Sequence, residues 1–206
     1  MLQLLAATSN KHKVEEFRKM LNDLNSRVNI VTPDTIPNFP VLIEDGNSFE
    51  ENAEKKAEQA SAYADMAAFA DDSGLVVEAL DGAPGIYSAR YAGEGATDAE
   101  RIAKLLEAMK GKTDRRAKFV CAIAIAYRGD DVALFRGEVC GTIVEAPRGT
   151  NGFGYDPVFI PEGYDKTFGE LPSEVKDSIS HRAAAMIKAV KFIRAELDSM
   201  DDFEFV

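Results

Sequence analysis

The apolar residues of this chain alternate between short continuous runs and helical periods. Leu2–Ala7 is a short apolar run that predicts a buried strand, and the polar stretch Thr8–Asn10 holds residues that cap helices. Apolar residues at three- and four-residue spacing over Lys11–Leu24 predict an amphipathic helix. Val28–Thr32 predicts a second strand, and the prolines within Pro33–Asn47 predict a loop or a sheet edge without helix.

Two capping boxes open predicted helices farther along, over Ser48–Met66 and Thr97–Lys110. Arg116–Tyr127 and Val132–Ala146 are long β-rich runs, and Arg128–Asp131 between them is a hairpin signal. This order of elements predicts an α/β fold in which helices cover a mixed β-sheet.

Three further segments complete the pattern. The apolar runs Ala67–Ala70 and Leu75–Leu80 flank Asp71–Gly74, which predicts two strands joined by a turn. Glycines throughout Gly82–Gly95 predict an ordered loop. A last helix is predicted from Ser180 or His181 to about Met200.

Composition narrows the class of protein. The 206 residues suit one globular domain, and a net charge of −11 disfavours partners such as nucleic acid or a membrane surface, which are themselves anionic. The N-terminus lacks a signal peptide's basic start, which predicts a cytosolic protein. Cys121 and Cys140 lie in apolar or β-like runs and are predicted to be buried thiols.

The first stretch with candidate chemistry is Thr8–Lys13, where the first strand meets the first helix. Unpaired amides and the positive dipole end at a helix start favour an anion, which Lys13 could also reach. A capped helix with solvated lysines is the alternative. The Walker pattern is absent from the chain, so an ATPase-type phosphate loop is excluded.

Adjacent carboxylates form the second candidate site. Asp71 and Asp72 follow an apolar run, and such a pair needs a positive partner, for which a divalent cation is suited. An ordinary surface turn is the alternative. Glu44 is a further candidate ligand, and Lys56 is predicted to be less exposed than its neighbours because alanines surround it.

Two more stretches suggest recognition of a flat ligand. Gly149–Pro157 places three glycines around two aromatic residues, which suits close approach of the backbone to a planar group, although a structural turn is equally consistent. Lys176 and the Ser180–Arg182 segment form a polar cluster at the start of the last helix. His181 there could bind a base or cap the helix.

Together, and in this order, these segments resemble the inosine triphosphate pyrophosphatase family, the non-canonical purine NTP pyrophosphatases, in its bacterial-type form. The resemblance runs from Leu5 to about Ala184. The segments that carry it are Ala7–Asn10 with Lys13, Phe49–Ala53, Ala70–Leu75, Gly82–Tyr91, Gly152–Pro157 and Ser180–Arg182.

The resemblance implies a fold, a reaction and a set of roles. The fold would be a long twisted mixed β-sheet flanked by helices, with two lobes and the active site in a central cleft. The enzyme would use Mg²⁺ to hydrolyse ITP, dITP or XTP to the monophosphate and pyrophosphate, as a homodimer.

The implied roles fall into three groups. Phosphate contacts would come from Thr8, Ser9, Asn10, Lys11, His12, Lys13 and Lys56. Asp72 would be the general base and a magnesium ligand, with Glu44 and Asp71 as secondary metal candidates. Substrate and base contacts would come from Ser73, Phe153, Gly154, Tyr155, Asp156, Lys176, His181 and Arg182, the last three at the 6-oxo edge of the purine. Ser9 stands where many relatives have glycine.

Three other functions fit parts of the pattern. A Maf-like nucleotide pyrophosphatase would share the architecture but prefer other nucleotides. A purine-nucleotide sensor would bind without turnover, which the paired aspartates disfavour. A glycosidase is the weakest alternative, since the chain has no tryptophan and no aromatic-rich groove.

Overall fold

The computed structural model describes residues 1–8, 10–21, 24, 26–127 and 132–203, with backbone alone for Lys11, His12 and residues 200–203. Its strands and helices are β1 (Leu2–Ala6), α1 (Lys11–Met20), β2 (Val28–Val31), α2 (Phe49–Ala64), β3 (Ala67–Val77), α3 (Asp98–Ala108), β4 (Arg116–Ala126), β5 (Val132–Ile143), β6 (Phe159–Pro161), α4 (Ser173–Ile179) and α5 (His181–Phe203).

The strands form a mixed sheet in the order β2-β1-β3-β4-β5-β6. β1 is parallel to both β2 and β3, whereas β5 and β6 are antiparallel. The predicted α/β class with a mixed sheet and flanking helices is therefore confirmed. The lobes and cleft that the resemblance implies stay a prediction.

The chain divides into two units, of which unit 1 comprises Met1–Asp72, Ala122–Arg136 and Ala185–Val206. Its core contains the fully buried Leu4 and Leu5 of β1, together with the rings of Phe17 and Phe69. Those two rings meet edge to face at 4.1 Å, a favoured aromatic geometry.

Helix α2 covers β1 in this unit with a stripe of small residues. Ala53, Ala57 and Ala60 recur at helical spacing and are completely buried. Because their side chains are short, α2 can lie close to β1, with which it is in contact. Lys56 on the same face is buried, as predicted.

Unit 2 comprises Ser73–Cys121 and Gly137–Ala184. Phe119, Phe159 and Phe168 lie in its core. The ring centroid of Phe159 is 4.7 Å from that of Phe119 and 5.6 Å from that of Phe168. Helix α3 begins with the predicted capping box: Glu100 N–H donates to Thr97 Oγ1, and Thr97 N–H donates to the Glu100 carboxylate.

The predicted turn at Asp71–Gly74 is wrong, because β3 runs without interruption from Ala67 to Val77. Paired carboxylates are costly inside a buried strand unless positive groups compensate them. Lys13 and Lys56 supply that compensation through ion pairs with Asp71 and Asp72. The sequence pattern alone did not reveal these long-range partners.

Helix limits differ from the prediction in smaller ways. α1 ends at Met20, and a 3₁₀ turn over Pro33–Thr35 occupies a stretch predicted to be free of helix, since proline is accepted in a first helical turn. Only half of the capping box predicted at α2 forms: Ser48 accepts from Glu51 N–H, but the Glu51 carboxylate binds Asn47 N–H instead.

The remaining predictions have mixed outcomes. Cys121 is buried as predicted, whereas Cys140 is exposed because alternate residues of β5 face opposite sides of the strand. The hairpin Arg128–Asp131 lies outside the described residues. Within the part of the chain that is described, no helix has the length and apolar character needed to cross a membrane.

Candidate functional site

Two lysines and two aspartates meet on β3 in unit 1. Asp71 and Asp72 are adjacent strand residues, so their side chains point to opposite faces. Asp71 is buried, and its Oδ2 lies 2.8 Å from the Nζ of Lys13 in the first turn of α1. The sequence predicted that Lys13 contacts a bound anion, and that role stays a prediction; the partner seen in the structure is the Asp71 carboxylate.

Lys56 is the centre of the cluster on the other face of β3. Its Nζ lies 2.8 Å from Glu44 Oε1, 2.7 Å from the main-chain oxygen of Asp71 and 3.7 Å from Asp72 Oδ1. Burial alone would lower the pKa of Lys56, but the negative charges of Asp72, Asp71 and Glu44 outweigh it and raise that pKa. Lys56 is therefore held as a cation.

Asp72 is the largely buried carboxylate beside Lys56. Its Oδ2 accepts a hydrogen bond of 3.1 Å from the Asn52 side-chain amide, and its side chain is 13% exposed. Burial raises the pKa of Asp72, while Lys56 and the Asn52 hydrogen bond oppose the shift. Asp72 is therefore a carboxylate of increased basicity beside the Lys56 ammonium, and increased basicity favours a general base.

The start of α1 is capped by its own polar residues. Thr8 Oγ1 accepts from Asn10 N–H at 3.2 Å, and Asn10 Oδ1 accepts from Lys13 N–H at 3.4 Å. The predictions for Ser9 and for the side chains of Lys11 and His12 lie outside the described residues. The phosphate role of this stretch stays a prediction.

The donor set of unit 1 fits a cation that binds together with phosphate. Among the described residues, no three His, Cys, Asp or Glu side chains are grouped as a ready metal site. However, Mg²⁺ commonly takes one or two carboxylates and completes its shell with substrate phosphates and water. Glu44 and Asp72 both approach the Lys56 ammonium and could supply those carboxylates.

Asp71 is placed differently from the other two metal candidates. Its carboxylate faces Lys13, and its main-chain oxygen faces Lys56. Its role as a metal ligand stays a prediction, and its observed contact is with the lysine at the start of α1.

The second cluster lies in unit 2 and surrounds Asp156. This buried carboxylate accepts from Lys176 Nζ at 2.5 Å and from Phe153 N–H at 2.8 Å. Burial raises the pKa of Asp156, and Lys176 opposes that shift through its charge and its hydrogen bond. Gly152 has φ +73°, and a Cβ there would lie 2.0 Å from Asp156 Oδ2, so the loop requires glycine.

Two cations, Lys176 and Arg182, lie over the ring of Phe153 in this cluster. Lys176 Nζ lies 4.3 Å from the centroid of the Phe153 ring, and Arg182 Cζ lies 5.7 Å from it. Arg182 Nη2 is also 3.2 Å from Ser73 Oγ. The His181 ring stacks on Phe119 at 4.9 Å, at the first residue of α5, where Ser180 provides a cap by accepting from Ala183 N–H.

The loop that carries Phe153 is anchored on both sides by groups that sequence reasoning missed. Gly154 N–H donates to Asp98 Oδ2 at 2.7 Å, and Arg101 binds the other carboxylate oxygen. Tyr155 donates from its hydroxyl to the main-chain oxygen of Ser88 at 2.9 Å. The only sequence signal for Asp98 was its place as the first residue after a helix cap.

These arrangements can be compared with known proteins. Residues 4–192 match the family described as Ham1. The chain belongs to the Ham1 family. It is 48% identical over 193 residues to a dITP/XTP pyrophosphatase of Desulfotalea psychrophila, covering 94% of this chain and 84% of that one. It is 46% identical over 188 residues to the enzyme of the same name from Geobacter sulfurreducens, covering 90% and 94%.

Solved structures of Ham1 proteins share the fold. A HAM1 protein from Coxiella burnetii superposes with a TM-score of 0.89 at 39% identity, covering 95% of this chain and all of that one. A nucleoside-triphosphatase, dITP/XTP pyrophosphatase, from Mycobacterium abscessus superposes with a TM-score of 0.78 at 37% identity, covering 91% and 97%. The family resemblance drawn from the motifs is confirmed.

Proposed function

We propose that this Ham1-family protein hydrolyses non-canonical purine nucleoside triphosphates, among them ITP, dITP and XTP, to the monophosphate and pyrophosphate. The observation that carries the proposal is Asp72, a largely buried carboxylate held between the Asn52 amide and the Lys56 ammonium. Relatives that cover most of the chain bear the name dITP/XTP pyrophosphatase. The activity would remove damaged purine nucleotides from the nucleotide pool.

The residues of unit 1 suit attack of water on the α-phosphorus. Asp72 Oδ2 accepts from Asn52, and Oδ1, which lies 3.7 Å from Lys56 Nζ, is the oxygen that would take the proton of the attacking water. Lys13 and Lys56 would neutralise charge on the phosphates as pyrophosphate leaves, which is the dominant requirement of phosphoryl-type displacement. A bound Mg²⁺, held by Asp72 and Glu44, would add positive charge and lower the pKa of the water.

The residues of unit 2 suit selection of the base. Hypoxanthine and xanthine carry an oxygen acceptor at position 6, where adenine carries an amino donor. Lys176 and Arg182 are donors and therefore favour the oxygen, while an adenine would face a like donor; a site that depends on such donors can discriminate by up to about 10⁴-fold. Phe153 supplies an aromatic face beside both cations.

Product analysis tests this function directly. Purified protein with Mg²⁺ is expected to release pyrophosphate and the monophosphate from dITP and XTP, with far less product from ATP. The measurement is chromatography of the nucleotides with separate assays for pyrophosphate and orthophosphate. Stepwise orthophosphate release would indicate a phosphatase, and tight binding without product would indicate the sensor.

The pH dependence of the rate is expected to follow Asp72. Because burial raises the pKa of its carboxylate, the basic form is lost at a higher pH than for an ordinary aspartate. We therefore expect kcat to fall on acidification, with a midpoint above the pKa of an ordinary aspartate and no decline above neutral pH. A kcat profile measured with dITP that declines above neutral pH would contradict this assignment.

Magnesium dependence and a homodimer stay predictions from the family resemblance, and a cytosolic location stays a prediction from the N-terminal sequence. The first is checked by activity after chelation and re-addition of Mg²⁺. The second is checked by light scattering on the purified protein, for which a monomer mass would contradict the prediction.

A further inference from the structure

Asn52 is buried at the start of α2, where its side chain is bonded at both ends. Its Oδ1 accepts a hydrogen bond of 2.8 Å from the buried main-chain N–H of Gly46. Its Nδ2 donates to Asp72 Oδ2 at 3.1 Å. Only 1% of the residue is exposed. One side chain thus joins the segment before α2 to the strand β3 that carries the proposed base.

An amide is well suited to this position because it has an acceptor at one end and a donor at the other. A carboxylate would still accept from Gly46 but would place a second negative charge against Asp72. The fit is also close: a Cβ on Gly46 would lie 2.8 Å from both Asn52 Oδ1 and Glu51 Cβ. The Gly46 main chain is therefore pressed against the first turn of α2.

The segment held in this way carries Glu44, one of the proposed metal ligands. Other residues of α2 hold the same segment, since Gln59 binds the main-chain N–H and oxygen of Ile43, and Lys55 lies 2.6 Å from Asp45. Those contacts lie on exposed atoms. Asn52 differs from them because it is buried and because its second bond reaches the reacting carboxylate.

We propose that Asn52 is a positioning residue that fixes the orientation of the Asp72 carboxylate and couples it to the segment carrying Glu44. The inference deepens the proposed function and rests on it. Because Asn52 is only 1% exposed, it acts through Asp72 and not directly on the substrate or the attacking water. Its effect is to keep Asp72 Oδ1 directed toward the reaction while Oδ2 is occupied.

The test uses two substitutions that distinguish the hydrogen bond to Asp72 from the hydrogen bond to Gly46. Asn52→Asp keeps an oxygen for Gly46 N–H and removes the donor to Asp72, whereas Asn52→Ala removes both. We expect Asn52→Asp to lower kcat for dITP by roughly 10- to 100-fold, as for loss of a hydrogen bond to a charged group, with KM changed by less than about threefold.

A second readout needs neither metal nor nucleotide. Hydrogen exchange of the Gly46 amide is expected to stay slow in Asn52→Asp and to become faster in Asn52→Ala, where its acceptor is gone. Slow exchange in Asn52→Asp shows that the segment before α2 stays folded in that variant. The measurement also separates the two bonds of the amide independently of activity.

Ser61→Ala is the matched control. Ser61 is a buried polar residue of the same helix, and its hydroxyl donates to the main-chain oxygen of Met66 at 2.8 Å. The Ser61→Ala variant is expected to lose stability while keeping the kcat of the wild type.

Equal kcat in Asn52→Asp and wild type would overturn the inference about Asn52 and leave the proposed function standing. A wild type that releases no pyrophosphate would overturn the proposed function, and the inference with it.

Discussion

Replacing Asp72 by asparagine is expected to lower kcat for dITP by about 10²- to 10⁴-fold, the usual contribution of a positioned general base. The substituted side chain has the same shape, and its oxygen can still accept from Asn52. What it loses is the ability to take a proton from water. Steady-state kinetics with pyrophosphate detection measure the change.

The same substitution is not expected to destabilise the fold. Burial raises the pKa of Asp72 in the folded protein above its ordinary value of 3.8. A carboxyl shifted in this direction stabilises the fold below the unfolded pKa, and that contribution is lost as pH rises through the folded pKa. At neutral pH the charge is therefore a cost, so thermal unfolding of Asp72→Asn at pH 7 should occur no lower than in the wild type.

Magnesium titration separates the two roles proposed for Asp72. If the carboxylate acts mainly as a metal ligand, a large excess of Mg²⁺ should restore much of the rate in Asp72→Asn. If it acts as the base, the rate should stay low at saturating metal. Glu58→Gln, which neutralises an exposed carboxylate of α2, is the control and should keep wild-type kcat. Wild-type kcat in Asp72→Asn would refute the assignment.

The sequence predicted most of the fold because its elements carry strong local signals. β1 and α3 have a continuous apolar run and a capping box, and both lie where they were predicted. β6 and α4 were missed because they are short and have no period of their own. The continuity of β3 was missed because it depends on lysines distant along the chain.

The residues of the candidate site were likewise predicted only in part. Lys13, Lys56 and Asp72 were identified from family motifs. In the structure, Lys13 and Lys56 form ion pairs with the adjacent β3 residues Asp71 and Asp72 in unit 1. Asn52 and Asp98 were missed as functional residues. Their importance comes from hydrogen bonds to groups 20 and 56 residues away, which no local spacing reveals.

Replacing Lys176 by methionine is expected to lower the free energy of unfolding by about 3–5 kcal/mol, as when one partner of a buried ion pair is removed. Lys176 and Asp156 are almost fully buried, and their charged atoms are 2.5 Å apart. Methionine fills much of the same volume but leaves the Asp156 carboxylate without its cation. Urea unfolding followed by circular dichroism measures the loss.

The loss should depend on pH in a defined direction. Burial raises the pKa of Asp156, and Lys176 opposes that shift, so removing the lysine raises the pKa further. A protonated Asp156 needs no cation, and the stability linked to protonation disappears as pH rises through the folded pKa. The deficit of Lys176→Met is therefore expected to be smaller at about pH 5 than at about pH 8.

Two further variants test whether the unpaired buried charge of Asp156 causes the loss of stability in Lys176→Met. Adding Asp156→Asn to Lys176→Met removes the charge while keeping an oxygen for Phe153 N–H, so it should recover part of the lost stability. Lys118→Met breaks a partly exposed pair with Glu138 and should cost no more than about 1 kcal/mol. If Lys176 also binds the base, the double variant should regain stability but keep a raised KM for dITP. Recovery of both would show that Lys176 acts on the nucleotide solely through the fold of the loop around Phe153.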